Sequence, residues 1–411
     1  MEKIVVIGGG ISGFAAAIES KTNDNEVIIL EKENSPLKKL LITGNGKCNY
    51  FNEDFTTNHY HSSNKSFIEN IITEENKTKV LNFFTSIGII PEIKNGYYYP
   101  YSNQAITIKN ALLKEAKIKG IEILLNNPVT KITKQNDKFI VKTKEKIIEA
   151  NKVIISTGSK AYPKTGSDGS GYALCEQFNH TITKVLPALV QLKGEGSYFK
   201  TLSGIRSKVK ASLLENDKII KEEVGEVQFT NFGLSGICIF NFSGLASKGL
   251  YEKKQIKIKL NFLYNLGLTK EGEFLKFLNQ QEKLLKKRTI SDILDSLLNY
   301  KLTNYILKKL NINNDTLLEN LSNSKRQAIT KELLEFTINI AGTNSFENAQ
   351  TCEGGVSTLE LNNKTLESNI VKGLYFTGEI IDIYGDCGGY NIGFAILSAI
   401  LVGESIRGNH D

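Results

Sequence analysis

The chain has 411 residues, 40% of them hydrophobic and 23% charged, a globular balance with room for two or three domains that excludes a disordered or fibrous protein. Its formal net charge of +7 leans mildly toward an anionic partner. The five cysteines (Cys48, Cys175, Cys238, Cys352 and Cys387) form no CxxC pair and the four histidines show no ligand spacing. Neither a disulfide framework nor a zinc site is expected, and a reduced, cytoplasmic setting is.

Residues 3–7 predict a short buried strand, 12–20 a helix of small and apolar residues, and 26–30 a second strand, together one βαβ unit. The apolar stretch 4–18 follows the acidic Glu2 and is broken by glycines, so it reads as strand, turn and helix rather than as a secretory leader. Residues 107–119 predict an amphipathic helix, 121–125 a strand, 129–133 and 139–143 a hairpin, and 152–156 an apolar strand running into glycines. The character changes after Pro187, the last of the six prolines. Residues 188–262 show β-type alternation, for example at 209–213, 227–229, 237–242 and 256–260. From 269 to 340, Leu, Ile and Phe recur at three- and four-residue spacing between Lys and Glu, which predicts helices. Residues 373–377 return to a short strand before glycines and a closing helix. The apolar segment 392–402 is far shorter than the ~20 residues of a membrane span, so no membrane partner is expected.

Two stretches carry chemistry. Gly8-Gly9-Gly10-Ile11-Ser12-Gly13 is a GxGxxG between the first strand and helix. Gly8 permits a tight turn, Gly10 lets the backbone approach a pyrophosphate, and Gly13 allows close packing of helix on strand. Glu31 ends the second strand where a ribose-binding acid belongs, which favours an unphosphorylated adenosine ribose, as in FAD or NAD, over NADP. The second stretch, Gly373 to Glu379 followed by Gly388-Gly389-Tyr390-Asn391, argues for FAD. It is a strand ending in a Gly-acid pair, Gly378-Glu379, followed by a second helix N-terminus for the flavin end of a long cofactor.

Read together, these residues resemble the BaiN/YhiN-type flavoproteins, often labelled aminoacetone oxidase family FAD-binding enzymes, along nearly the whole chain. The likeness is carried by Lys39-Leu40-Leu41-Ile42-Thr43-Gly44-Asn45-Gly46-Lys47-Cys48-Asn49, by Ser156-Thr157-Gly158 through Tyr162-Pro163 and Gly166-Ser167-Asp168-Gly169, and by Phe229 to Gly236. Gly354-Gly355-Val356 and the block from Gly373 to Asn391 complete it. The resemblance implies an α/β fold, a Rossmann-like FAD-binding domain of the glutathione-reductase type. That domain is interrupted by an insert with a β-barrel-like part and a helical part. The expected division is 1–187 and 345–411 for the FAD domain and 188–344 for the insert, barrel-like over 188–262 and mainly helical over 263–344. The cofactor residues it implies are Gly8, Gly10, Ile11, Ser12 and Gly13 with Glu31 and Lys32, and then the loop Gly44, Asn45, Gly46, Lys47, Cys48 and Asn49. Val129 would meet the adenine, Thr157 and Gly158 would close over the cofactor, and Gly378, Glu379, Gly388, Gly389, Tyr390, Asn391 and Ile392 would serve its flavin end. The glycine loop 166–171 is not followed by a strand ending in an acid, so no separate NADPH domain is expected. Asn45 stands where a third glycine is usual, Lys47 where Arg is, Asn231 where His is common and Ile237 where Pro is.

Substrates assigned across that family include ribosomal RNA uridine, unsaturated steroid acids and aminoacetone. The first two share hydride addition to a carbon–carbon double bond conjugated to a carbonyl. The resemblance therefore implies an FAD-dependent oxidoreductase, an NAD(P)H-driven reductase, with uridine to dihydrouridine in 23S ribosomal RNA as the leading expectation. A small-molecule ene reductase, an amine oxidase and a non-catalytic FAD-binding protein are the alternatives. Such a reduction needs an acid at the carbon that receives no hydride, and Cys387, Cys48 and Tyr390 are the candidates. For ribosomal RNA as partner, Lys286-Lys287-Arg288, Lys308-Lys309 and Lys325-Arg326 offer phosphate contacts, although acids interleave them as on any solvated face.

Overall fold

A five-stranded parallel sheet organises the first unit of the computed structural model, which describes residues 1–408; residues 409–411, the end of the expected second segment of the FAD domain, lie outside the described residues. The strands are β1 (Glu2–Ile7), β2 (Asn25–Leu30), β3 (Glu122–Leu124), β4 (Lys152–Ile155) and β5 (Leu374–Phe376), in the spatial order β5-β4-β1-β2-β3. The central pair reads as unbroken apolar runs because both faces of a parallel sheet are covered, and Ile4, Val5, Val6, Val153, Ile154 and Ile155 are fully buried. Covering one face are α1 (Ile11–Ser20) and α2 (Tyr390–Arg407). Small residues let these two helices meet: a Cβ on Gly403 would lie 2.4 Å from the Cβ of Glu19. Beside the sheet, Val129–Gln135, Lys138–Thr143 and Ile147–Ala150 form an antiparallel meander. Among the described residues, this unit comprises 1–187 and 346–408.

The second unit, residues 188–345, holds a closed six-stranded barrel. Its strands run Leu192–Gly194, Gly233–Ser235, Lys218–Phe229, Arg206–Glu215, Ile256–Asn261 and Phe336–Thr343 around the barrel, and the last pairs with the first. Two expectations are corrected here. Residues 237–242, expected as a strand, open the helix Ile237–Tyr251, because Cys238, Ile239, Phe242, Ala246 and Gly249 fall together at helical spacing. Residues 336–340, expected as helix, begin the barrel-closing strand: Phe336, Ile338 and Ile340 are buried while Thr337 and Asn339 face out.

Between these elements lie the expected helices, observed as Glu271–Leu284, Ile290–Asp295, Tyr300–Lys309 and Asn323–Leu334. Arg326 holds the first and last of them. Its guanidinium is buried, donating to the carbonyls of Leu321 (3.0 Å) and Leu318 (2.7 Å), to Asn279 Oδ1 (2.9 Å) and to Glu282 Oε2 (2.6 Å). Truncation would strip two buried carbonyls and a carboxylate of their donor, so Arg326→Ala should destabilise this unit by about 3 kcal/mol in denaturant titrations. A change within about 0.5 kcal/mol would show that the network contributes little.

Candidate cofactor site

The turn after β1 is built by exclusion. Gly8 has φ +107°, its N–H donates to the Leu30 carbonyl at 2.8 Å, and a Cβ there would stand 2.5 Å from the carbonyl oxygen of Ser156. A Cβ on Gly13 would lie only 2.0 Å from the Gly8 carbonyl oxygen, which is the close packing expected of the third glycine. Gly10 differs: it is extended, precedes α1 without a side-chain cap, and a Cβ there would meet nothing within 4 Å. The first turn of α1 carries no acid, so its N–H groups and the positive end of its dipole are open to an anion.

Glu31 is set by the same turn. Its Oε2 accepts from the Gly9 N–H at 2.6 Å and its Oε1 from the Glu33 N–H at 2.8 Å, which leaves further lone pairs for a ligand hydroxyl. Burial raises its pKa above the ordinary value, against the lowering effect of these two N–H donors.

A cavity of about 400 Å³ opens at this turn. From the N-terminal part of the chain it is lined by Gly8, Gly10, Ile11, Ser12, Glu31 and Lys32, and by Val129, Thr157 and Gly158; from the C-terminal part by Glu379, Asn391 and Ile392. The glycine loop expected not to form a second nucleotide site lies over this same cavity through Gly166, Asp168 and Gly171, with Gly171 so close to Thr157 that a Cβ would sit 1.8 Å from its hydroxyl. Lys32 Nζ meets Asp168 Oδ1 at 2.7 Å across one wall. Lys39 Nζ meets Glu379 Oε2 at 2.6 Å, and Ser159 donates to the same oxygen at 3.0 Å.

These residues fit FAD. Thr157 and Asn127 both line the cavity, and each carries a buried side-chain oxygen without a hydrogen-bond partner among the described residues, a cost that a polar ligand bound beside them would help to remove. The open position at Gly10, beside the uncapped start of α1, is where a Cβ would fill a phosphate cradle.

Other expected residues fall elsewhere. Gly13 lies buried beneath the turn. Of the loop after Lys39, Thr43 lines the cavity, whereas Gly44, Asn45, Gly46, Lys47, Cys48 and Asn49 do not. Gly378 sits behind it, its Cβ position 2.5 Å from Ser12 Oγ. Cys48 is fully buried in the apolar core, and burial pushes its thiol up to about 12. Cys387, Gly388 and Gly389 form the turn that enters α2, and Tyr390 is that helix's first residue, buried and stacked on His59 with ring centroids 4.5 Å apart. None of those four lines the cavity. The sequence reading missed Lys39, Asn127 and Asp168 as lining residues, although Lys39 and Asp168 stand in the quoted motifs and Asn127 lies two residues before Val129.

Gly10 and Gly13 give a paired prediction. Gly10→Ala should keep its melting temperature without cofactor yet lose about tenfold or more in FAD affinity, because its methyl enters free space at the helix N-terminus. Gly13→Ala should lower the melting temperature of the protein stripped of cofactor, because its methyl meets backbone. Fluorescence titration with FAD and thermal unfolding read the two effects; equal FAD affinity in Gly10→Ala would remove the phosphate cradle from this position.

The sequence profile of the HI0933-like protein Rossmann domain matches residues 2–405. A 3-dehydro-bile acid delta(4,6)-reductase of Clostridium scindens is 34% identical over 407 residues, covering 98% of this chain and 99% of its own. A ribosomal RNA dihydrouridine synthase of Haemophilus influenzae is 26% identical over 408 residues, 98% of each chain. In fold, the chain resembles a 3-ketosteroid-delta4-(5alpha)-dehydrogenase from Rhodococcus jostii RHA1 solved with 4-androstene-3,17-dione, at TM-score 0.52, 12% identity and coverage of 98% and 97%. With its Rossmann-type FAD-binding fold, the chain belongs to the HI0933-like family and is a flavoprotein oxidoreductase.

Proposed function

We propose that this protein reduces a carbon–carbon double bond conjugated to a carbonyl in a small-molecule substrate, with NAD(P)H as electron donor. The observation that carries the reading is the whole-length likeness to two relatives whose names describe that one reaction type, on a steroid ring system and on uracil. Bound FAD would supply the two-electron transfer. The N–H groups at the start of α1 and Thr157 would hold its phosphates, Glu31 its adenosine ribose, and Glu379, Asn391 and Ile392 its other end. Lys39 neutralises Glu379 in that wall and, with Ser159, fixes the carboxylate's orientation.

The small-molecule substrate is preferred to ribosomal RNA on identity, 34% against 26%, and on the surface of the second unit. Of the basic residues expected to contact phosphate, Arg326 is buried in its own network and Lys309 is paired with Glu332. Lys286, Lys287 and Arg288 are exposed, directly after a helix that also carries Glu271, Glu273 and Glu282. Ribosomal RNA is kept as the second reading by the net charge of +7 and the 26%-identical relative.

The test offers FAD-loaded protein and NADH or NADPH, without oxygen, to a 4,6-dien-3-one bile acid and, separately, to unmodified ribosomal RNA. Mass spectrometry should find two hydrogens gained by the dienone and no change in the RNA. A uridine that gains two hydrogens, with no dienone consumed, would transfer the function to RNA. Failure on both substrates combined with rapid oxygen consumption on an amine would make the protein an oxidase. Flavin that NAD(P)H never bleaches would point to a non-catalytic role.

A further inference from the structure

Three side chains from residues 54–61 meet one from residue 386 beside the entry to α2. The short strand Tyr60–His61 pairs antiparallel with Tyr384–Gly385, and the Asp386 N–H donates to the His59 carbonyl at 2.8 Å. This pairing brings two imidazoles onto one carboxylate. His59 Nδ1 lies 3.3 Å from Asp386 Oδ2, and His61 Nε2 lies 2.9 Å from Asp386 Oδ1. The other ring nitrogen of His59, Nε2, is 2.9 Å from Asp54 Oδ2. The Asp386 side chain is 4% exposed, that of His59 29% and that of Asp54 60%, so the line runs from solvent to interior.

Geometry favours the charged imidazole. A neutral imidazole has one N–H and one lone pair, yet both ring nitrogens of His59 face carboxylate oxygens. With both carboxylates ionised, the two contacts are favourable together when His59 carries two protons. The inner end of the line adjoins the cofactor site. Cys387 follows Asp386 directly, His59 stacks on Tyr390 at an interplanar angle of 16°, and Asn391, which lines the cavity, is tied to Gly385 by hydrogen bonds of 2.8 and 2.9 Å.

We propose that Asp54, His59, Asp386 and His61 form a proton relay that carries a proton from solvent to the turn 386–391 for the double-bond reduction. The proposal rests on the ene-reductase reading. In that reaction the substrate gains two electrons and two hydrogens, NAD(P)H is oxidised to NAD(P)⁺, and one proton is drawn from solvent per turnover. One carbon receives a hydrogen with its electron pair, derived from NAD(P)H through the flavin; the other receives the proton that the relay replaces. His59 and Asp386 are positioning residues here, since neither lines the cavity.

The titratable groups around the relay include Tyr390 on α2 beside His59, Tyr60, whose hydroxyl donates to the Tyr390 carbonyl, Lys77 near Asp54, and Tyr384 stacked on His61. Glu353 and Asp382 act on Tyr384 from behind. Its hydrogen bond to Asp386, together with that to Asp54, holds the His59 imidazole above its ordinary pKa against the opposing effect of burial. Relay-dependent turnover is therefore full at low pH and is lost as pH rises through that elevated value.

The test compares the FAD-loaded wild type with His59→Gln and Asp54→Asn. In His59→Gln, kcat for the dienone should fall about tenfold or more while KM for NAD(P)H and the rate of flavin bleaching by NAD(P)H stay unchanged, and the alkaline fall in kcat should disappear. Asp54→Asn, at the exposed end, should keep its melting temperature and move the alkaline fall to lower pH. Wild-type kcat and pH profile in His59→Gln would overturn the relay, as would a loss of kcat that follows flavin content and melting temperature in step. Proton NMR of the imidazoles, only four in the chain, gives a readout independent of turnover. Asp54→Asn should lower the titration midpoint of His59, because one of the two carboxylates that hold its charged form is then lost, and an unmoved midpoint overturns the relay. If the wild type reduces no dienone, the substrate reading falls and the NMR result decides the relay by itself.

Discussion

The close approach of backbone to backbone between β1 and α1 is the constraint on which the first unit depends. With 2.0 Å between the Gly8 carbonyl oxygen and a hypothetical Cβ on Gly13, and 2.5 Å between a Cβ on Gly8 and the Ser156 oxygen, no side chain fits at either position. The helix therefore starts against the strand end, its first N–H groups uncapped and facing open space at Gly10. Glu31 then has no freedom, because the Gly9 and Glu33 N–H groups grip one carboxylate oxygen each. One steric fact thus sets an anion-binding dipole and a hydroxyl-binding carboxylate side by side.

The same turn explains why the chain's two ends must meet. Ser156 and Thr377 share a hydrogen bond of 2.6 Å at the ends of β4 and β5, and the Gly378 N–H donates to Ser398 within α2 at 2.9 Å. Gly378 leaves room for Ser12 at the start of α1. Strand β5 extends the sheet beside β4, and α2 covers α1, so the C-terminal segment supplies core and cavity wall together. Pairings this distant in sequence form only after a large entropic cost of loop closure, which the apolar burial of α2 offsets.

Much of this was legible in the sequence because it rests on local rules. Glycine spacing, an acid after a second strand, and apolar runs of strand length each need only a few neighbouring residues to be read. The misreadings have physical causes. Residues 237–242 alternate convincingly over six positions, and only the continuation to Ala246 and Gly249 shows the helical period. Residues 336–340 follow helix Asn323–Leu334 with no proline or glycine between, so nothing local marks the change to a strand that closes a barrel. Arg326 read as a surface cation because its four acceptors come from other segments or from carbonyls that carry no sequence signature. The meeting of His59, His61 and Asp386 was illegible for the same reason: 325 residues separate His61 from its partner.

Proton supply separates the acidic groups near α2 more sharply than their chemical type does. A group that gives up a proton each turnover must recover one from water, so burial that stabilises its neutral form also obstructs its return. Cys48 is held neutral by the apolar core, its thiol raised to about 12, and among the described residues no exposed carboxylate or imidazole is hydrogen-bonded to it. Tyr60, beneath Tyr390, is likewise pushed well above its ordinary value by complete burial. His59 combines partial burial with two carboxylate partners, one in water and one in the interior, so its charged form is stabilised while exchange with solvent stays open. Among the described acids and bases around the start of α2, that combination links the exterior to the turn carrying Cys387. It assigns proton supply to a place that neither the glycine motifs nor the cysteines had marked.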